Sequence, residues 1–522
     1  MAEVTLVRTI GPPGAAALGP QVTAPPPLDL FHDLRWISVF HDSWFVLALE
    51  LLAVVVLRSL WVAWMVQRAW PAEGFPAMHA SIRRVAVFYA VAIVLLTPWV
   101  VLLFAQALVH VSFLFFAALP PAIALAVVLH RGAANQAAGR WWVWRPTWRS
   151  VAWVIGAFFW LTAAGALTGT GSLPFALLAA AGAGLANARS WYGVVTDIAT
   201  RPSTRPLRAL APILVGVIFA VAVGGTALGF AARHHPDAAP VGPAPSAEAG
   251  EHPVLIAAGL HSRFDPRAPL RLPRGFVGWR FSYRGIDQRG RPLPYGPEDT
   301  MRPLAASARL MARQVLALRR AYAERVTIVA ESEGGLVARS FLLRAPGVGD
   351  EVDRLLTLDM PSGIASVYFP ARGQQGWGVG TGWGLRGFAK VLSALGPLDL
   401  SPDSPLAREL LDCRPAFARL AAAPAPPGVS EVSVETLADW VDPPAAAPLG
   451  VPRFVVAATH GGLVGDPSVQ RLIRGILDGN PADLVPRAPG LWAKLVGASA
   501  SPWLVPSLPA GVATGTSCPS GS

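Results

Sequence analysis

A serine lies between two glutamates in the stretch "VTIVAESEGGLVAR", which runs from Val326 to Arg339. An apolar run precedes Ser332, and two glycines followed by an apolar, helix-like segment come after it. This order predicts a strand, a sharp turn and a helix, which lifts a serine hydroxyl above the edge of a sheet, close to the positive end of the helix. Ser332 is therefore a candidate nucleophile for acyl chemistry.

A serine hydroxyl is a poor nucleophile until a base removes its proton. His460 lies in "RFVVAATHGGLVGDP", where it follows a strand-like apolar run and precedes the last predicted helix. Parallel strands end at one edge of their sheet, so a loop after a late strand can bring this imidazole to Ser332. The other histidines considered either precede the serine or lie in a Pro/Ala-rich segment. His460 is the candidate base.

Three aspartates compete for the role of the acid that orients the histidine. Asp439 in "LADWVDPP" follows the strand-like "EVSVETL" and gives the chain order Ser, Asp, His. Asp359 in "LLTLDMPSG" ends the strand-like run after the serine, and Asp442 lies beside Asp439 in the same turn. The residues favour Asp439 and leave the other two open.

The segments around these residues alternate between strand-like and helical patterns. Short apolar runs such as "PVLIAAGLHS", "VGWRFSY", "VTIVA", "RLLTLDM" and "RFVVAAT" are typical of buried strands. Residues 304–324 and the segment "PSVQRLIRGILDG" carry apolar residues at helical spacing. The pattern predicts an α/β domain with a mainly parallel sheet that helices cover on both faces.

With these motifs in this order, residues 253–485 resemble an α/β-hydrolase of the lipase and esterase group. "DWVDPP" is similar to the segment that often carries the acid in bacterial lipases, which favours Asp439. The resemblance implies an oxyanion hole from the backbone N–H groups of Glu333 and Leu260, a cap or lid insertion at about 364–430, and no metal or organic cofactor. Three features depart from the family: Ala258-Gly259-Leu260 lacks the histidine of the strand-end HG motif, Ala330 replaces the usual first glycine, and glutamates flank the serine.

The first part of the chain is of a different kind. Hydrophobic residues make up 53% of the sequence and charged residues only 14%, and the apolar excess precedes residue 232. That composition suits a chain partly dissolved in lipid. Apolar stretches predict an all-α transmembrane bundle of about six spans: 44–66, 85–108, 112–129, 151–169, 173–188 and 209–231. Glu50 and Arg58 fall inside the first, where we expect them to reach towards opposite interfaces.

Arginines decide the expected orientation of this bundle. The segments after the first, third and fifth spans carry arginines, whereas "HVS" and "TGTGS" after the second and fourth carry no Arg or Lys. The positive-inside rule then makes the arginine loops cytoplasmic and the hydrolase-like domain extracytoplasmic. Because many of the basic residues lie between apolar spans, the net charge of +11 indicates topology and not nucleic-acid binding.

The expected division is an N-terminal extension (1–43), a transmembrane helical domain (44–231), a Pro/Ala-rich linker (232–252), the hydrolase-like domain (253–485) and a C-terminal tail (486–522). These parts together predict a multi-pass protein of the cell membrane that cleaves an ester or acyl lipid through Ser332, His460 and Asp439. The lipid bilayer and that substrate are its expected partners. Two alternatives are an acyltransferase of envelope lipids and a non-catalytic scaffold or sensor. The oligomeric state stays open.

Overall fold

The structure is a computed structural model, and it describes the greater part of the chain. The described residues are 1–10, 15–70, 75–105, 129, 132–139, 148–170, 172–200, 239–240, 250–265, 267–268, 270–344, 347, 350–361, 378–395, 403–436, 451–456, 463–479 and 501–503.

The N-terminal part is helical. Its helices are α1 (Ala2–Ile10), α2 (Leu28–Phe40), α3 (Trp44–Ala69), α4 (Met78–Ala105), α5 (Trp148–Thr170) and α6 (Leu173–Ala199), with a 3₁₀ helix at Ala15–Gln21. They pack around a core that includes Leu30 of α2, Val62 of α3, Tyr89 of α4 and Trp191 of α6. The extension that precedes the first predicted span is therefore part of the helical assembly.

Three of these helices are long and apolar enough to cross a membrane: α3, α4 over Met78–Thr97, and α5 over Ala152–Gly169. They coincide with the first, second and fourth predicted spans. The fifth predicted span lies on α6, which is long but is rich in Ala and Gly and includes Asn187 and Arg189. Spans 112–129, apart from Leu129, and 209–231 lie outside the described residues. Of the six predicted spans, the described residues thus show three helices long and apolar enough to cross a membrane, and the third and sixth spans stay predictions.

The expectation for Arg58 is wrong. Its guanidinium is buried and binds the Asp33 carboxylate of α2 through two hydrogen bonds of 2.6 Å, from Nε and Nη2. Asp29, also on α2, accepts a hydrogen bond of 2.7 Å from the Tyr89 hydroxyl. His32 lies between the carboxylates of Asp33 and Glu3, at 3.0 and 2.7 Å. Because α2 supplies carboxylates, Arg58 has no need to reach an interface.

The second part is built on a six-stranded sheet. Its strands are β2 (His252–Ala257), β4 (Phe276–Arg280), β5 (Val326–Glu331), β6 (Val352–Leu358), β7 (Ser430–Thr436) and β8 (Arg453–Val456), in the order β4-β2-β5-β6-β7-β8. Every neighbouring pair is parallel, which confirms the prediction of an α/β domain with a mainly parallel sheet. Two short segments, β1 (Ala239–Pro240) and β3 (Arg267–Ala268), pair separately and antiparallel.

Helices cover both faces of the sheet. The described helices of this part are α7 (Leu304–Tyr322), α8 (Glu333–Arg344), α9 (Val379–Leu395), α10 (Pro405–Asp412), α11 (Arg414–Ala422) and α12 (Pro467–Leu477), with short 3₁₀ helices at Pro297–Met301 and Ser501–Trp503. Of these, α9 and Ser501–Trp503 pack against the N-terminal helices and not against the sheet. Side chains of α7, α8, α10 and α11 pack with Leu255 and Ile328 on one face. Side chains of α12 pack with Ile256 and Val329 on the other. Alternate strand residues therefore face separate cores, as expected for a buried parallel sheet.

The start of α9 contacts the end of α2. The Gly378 and Gly380 N–H groups donate to the carbonyl oxygen and Nε2 of His41, at 2.5 and 2.8 Å, and the Thr381 hydroxyl donates to the Ser38 carbonyl at 3.0 Å. A side chain at Gly380 would collide with Leu47 of α3. Part of the predicted cap insertion is thus attached to the N-terminal helices.

Candidate active site

Ser332 occupies a tight turn between β5 and α8. Its φ of 53° lies in the left-handed region, which non-glycine residues rarely adopt. The Ser332 N–H donates to the Leu358 carbonyl of β6 at 2.8 Å, and the Ser332 carbonyl accepts the Gly335 N–H at 2.9 Å. Both ends of the residue are therefore fixed by the sheet and by the helix. This strained strand-to-helix geometry is that of a nucleophile elbow.

Small residues make the turn possible. A Cβ on Gly334 would lie 2.9 Å from the Ala258 carbonyl oxygen and 3.0 Å from that of Ala257. A Cβ on Gly335 would lie 2.7 Å from Cγ of Met360. Helix α8 therefore approaches the end of β2 and the segment after β6 more closely than any side chain would permit.

The loop after β2 reaches the serine itself. A Cβ on Gly259 would lie 2.8 Å from Cβ and 3.3 Å from Oγ of Ser332. Leu260 follows in a half-buried turn, and the His261 N–H fixes that turn by donating to the Thr300 hydroxyl at 3.0 Å. The predicted oxyanion residue Leu260 is thus next to a residue in contact with Ser332. Glu333 is the first residue of α8, so its N–H has no partner within the helix.

Asp359 lies beside the serine at the end of the neighbouring strand. Glu331 pairs with Leu358 in the register of β5 and β6, so Ser332 and Asp359 follow paired positions. Asp359 is fully buried and has a left-handed φ of 46°, and its N–H donates to the Val434 carbonyl of β7 at 2.8 Å. The structure therefore brings one of the three candidate acids close to Ser332 along the sheet edge.

The remaining predicted site residues, Asp439, Asp442 and His460, lie outside the described residues. The strands that precede them are described: β7 ends before Asp439, and β8 ends before His460. These two strands follow β6 in the sheet and run parallel to it. Both therefore end at the edge that carries Ser332.

The elbow helix is tied to β7 by a buried ion pair. Arg339 of α8 donates two hydrogen bonds from Nη2 to the Glu431 carboxylate of β7, at 2.6 and 2.7 Å, and one from Nε at 2.9 Å. Its other nitrogen, Nη1, donates to the Ala421 and Ala423 carbonyls at the end of α11. The serine turn and the strand before Asp439 thus share one rigid connection.

Glu333 has an unusual environment. Its side chain is 4% exposed, and within the described part of the chain neither carboxyl oxygen has a hydrogen-bond partner. Burial raises the pKa of this carboxyl well above its usual range. Burial and the Glu333 carboxyl together raise the pKa of the Tyr283 phenol. Sequence reasoning missed this burial, although the apolar "GGLVARSFLL" that follows is typical of a helix enclosed on all sides.

Among the described residues, no group of three or more His, Cys, Asp or Glu side chains is arranged to hold a metal ion. The polar groups gathered at the sheet edge are a hydroxyl, carboxyls and backbone N–H groups. These are the components of acyl-transfer chemistry by a serine nucleophile.

No family model matches the sequence, and no curated protein matches it either. Among solved structures, the chain is similar to the crystal structure of Aspergillus fumigatus lipase B, with 14% sequence identity and a TM-score of 0.29. The match covers 50% of this chain and 63% of that one, so the chain spans less than two thirds of the lipase. A likeness of this size carries no argument about activity.

Proposed function

We propose that the chain is a membrane-anchored serine hydrolase of the esterase or lipase type, with Ser332 as nucleophile. The conformation of Ser332 is the observation that carries the proposal. A serine with a φ of 53° has a strained backbone, and an ordinary strand-to-helix connection does not require such strain. Strained backbone of this kind is concentrated at functional sites, and here the glycines around the serine leave space for it.

In the proposed reaction, Ser332 Oγ attacks the ester carbonyl carbon as its proton passes to His460. Asp439 holds the histidine in the required tautomer. The N–H groups of Glu333 and Leu260 receive the oxyanion of the tetrahedral intermediate. Its collapse breaks the bond to the alcohol, which leaves with the proton from His460. Water then repeats the sequence on the acyl-enzyme and releases the acid.

The substrate we propose is an ester with an apolar acyl chain, such as a lipid of the bilayer. Helix α9, in the predicted cap insertion, begins in contact with α2 and close to Leu47 of α3. An opening between cap and sheet would therefore lie near the helices that can cross a membrane. Helix α9 also presents a partly exposed Trp383. An acyl chain could pass from lipid to the serine without crossing water.

Turnover of p-nitrophenyl esters from acetyl to palmitoyl tests both activity and chain length. We expect the full-length protein in detergent to prefer the longer chains, and Ser332→Ala to reduce turnover to the uncatalysed rate. Equal turnover by Ser332→Ala would overturn the proposal. A preference for the acetyl ester over all longer esters would contradict the proposed lipid substrate. The protein would then be an esterase for short-chain substrates.

Single substitutions distinguish the three candidate acids. We expect Asp439→Asn to lower kcat by roughly 10²- to 10⁴-fold, because the imidazole loses its orientation. Asp359→Asn and Asp442→Asn should lower it by less than about tenfold. Asp359 is the most informative comparison because it lies beside Ser332. If Asp359→Asn has the largest effect of the three, the acid comes from the end of β6 and not from the segment after β7.

The proposed location of the hydrolase domain is the extracytoplasmic side of the membrane. Single cysteines placed at exposed positions of that domain, such as Arg289, should react with a membrane-impermeant maleimide in intact cells. A cysteine in the arginine-bearing segment after the first span should react only after lysis. The opposite pattern would place the hydrolase domain in the cytoplasm.

A further inference from the structure

The Glu333 carboxyl is a buried polar group with no described function. It follows the candidate nucleophile directly and is 4% exposed, and neither oxygen has a hydrogen-bond partner in the described part of the chain. Burying such a group without a hydrogen bond costs about 1–3 kcal/mol, so most proteins avoid it. A buried acceptor left open beside the candidate nucleophile indicates a partner that the described part of the chain does not supply.

The two tyrosine hydroxyls on which the Glu333 carboxyl acts electrostatically are already engaged. The Tyr283 hydroxyl donates to the Ala258 carbonyl at 2.7 Å, in the loop that contacts Ser332. The Tyr295 hydroxyl lies 3.1 Å from Oγ of Ser262 in the same loop region. The pKa values of both phenols are raised by burial and also by the Glu333 carboxyl, which places Glu333 on this side of the turn. Neither tyrosine satisfies it.

We propose, building on the function proposed above, that the Glu333 carboxyl hydrogen-bonds a hydroxyl group on the alcohol side of the ester substrate. The preferred substrate would then be an ester of a polyol, with a free hydroxyl near the scissile bond. The acyl chain cannot be the partner, because it has no hydrogen-bonding group. An anionic group is disfavoured because Glu331 and Asp359 also lie beside Ser332.

Burial raises the pKa of the Glu333 carboxyl and so favours its neutral form, which fits this partner. A carboxylate beside the oxyanion would repel the developing negative charge, whereas a neutral acid does not. A neutral carboxyl donates one hydrogen bond and accepts another, as a hydroxyl does. The neutral Glu333 carboxyl and a substrate hydroxyl can therefore each donate a hydrogen bond to the other, and neither group is charged.

Two esters of the same fatty acid test the proposal: the monoglycerol ester, which has free hydroxyls, and the propyl ester, which has none. For the full-length protein in detergent, we expect kcat/KM to be at least about tenfold higher for the glycerol ester, since one hydrogen bond to a polar group contributes about 1.4 kcal/mol. Glu333→Leu should bring the ratio close to one. Glu333→Gln, which still donates and accepts, should keep most of it.

Labelling of Ser332 by an alkyl fluorophosphonate separates this inference from the proposed function, because the probe carries no alcohol hydroxyl. We expect the full-length wild type to be labelled, whatever its ratio for the two esters. If the wild type is labelled but its ester ratio is near one, or if Glu333→Leu keeps the ratio, the hydroxyl subsite is wrong and the hydrolase stands. If a folded wild type is not labelled, the proposed function itself fails.

Two further variants serve as controls for the effect of Glu333→Leu. Glu333→Met provides a second apolar replacement if the leucine variant does not fold, and its ratio should also approach one. Glu331→Gln changes the glutamate on the other side of Ser332 and should leave the ratio unchanged. An equal loss in Glu331→Gln would mean that the effect comes from altered charge near the serine, which would overturn the assignment to Glu333.

Discussion

Gly259 and Ser332 are in direct contact across the sheet edge: a Cβ built on Gly259 would lie 2.8 Å from Cβ of Ser332. The two residues belong to different strand-ending loops, one after β2 and the other after β5. Their contact places the loop that carries Leu260 next to the serine. This proximity is what an oxyanion hole shared between the two loops requires.

Gly259→Ala should therefore lower the catalytic activity strongly and the stability of the folded protein only slightly. The new methyl group must displace either Ser332 or the loop that carries Leu260, and a misplacement of about 1 Å can cost roughly 100-fold in rate. We expect kcat/KM to fall by about 10- to 100-fold, with a well-defined thermal transition retained. Gly182→Ala is the matched control, because a Cβ there meets nothing within 4 Å. Full activity in Gly259→Ala would contradict the close approach.

Arg339→Ala should destabilise the hydrolase domain by about 3–5 kcal/mol, because it leaves the buried Glu431 carboxylate without a partner. Chemical denaturation monitored by tryptophan fluorescence gives this difference. Arg291→Ala is the matched control: its ion pair with Asp287 is exposed to solvent, so we expect a much smaller loss. Equal losses in the two variants would show that the Arg339 pair is not buried as described.

Stability should fall as pH rises because of Glu333. Burial raises the pKa of its carboxyl in the folded state above the ordinary value of 4.5, so the folded protein binds this proton more tightly than the unfolded chain does. The resulting stability is fully present below pH 4.5 and is lost as pH rises through the folded-state pKa. The slope from one group is at most about 1.4 kcal/mol per pH unit.

Melting curves of the wild type and Glu333→Gln over this pH range measure that contribution. The variant has no carboxyl to ionise, so its melting temperature relative to the wild type should rise with pH and then level off. A difference that stays constant across the range would mean that Glu333 ionises at its ordinary pKa, in contact with water.

Arg58→Met should destabilise the N-terminal helices, because the half-buried Asp33 carboxylate loses its guanidinium partner. In detergent, we expect a melting temperature several degrees below that of the wild type. The double variant Arg58→Met/Asp33→Leu should recover part of the loss, since it leaves no unpaired charge. A single variant as stable as the wild type would mean that α2 does not pack against α3.

The sheet could be predicted from sequence because its strands are short apolar runs enclosed on both faces. Val326–Glu331 and Val352–Leu358 each appear as such a run, and each is a central strand. The serine turn was equally clear, because small residues and a helix pattern follow it directly. In both cases the information is local, so spacing and residue type were sufficient.

The rest depended on contacts between distant segments. Arg58 finds its partner in α2, within a segment that the sequence identified only as an extension. Glu333 is enclosed beside Tyr283 and Tyr295, which come from loops far from it in the chain. Of the four predicted spans that lie on described helices, the fifth differs from the others for another reason: α6 is long, but its Ala, Gly and polar residues make it less apolar than the three helices that can cross a membrane.

Labelling by a fluorophosphonate probe tests whether Ser332 is an activated nucleophile, because the probe forms a covalent bond only with an activated serine. We expect labelling of the full-length wild type and its loss in both Ser332→Ala and His460→Ala. A mass-spectrometric map should place the adduct on the peptide that contains Ser332. No labelling of a folded wild type, or equal labelling of Ser332→Ala, would contradict the proposed role of Ser332.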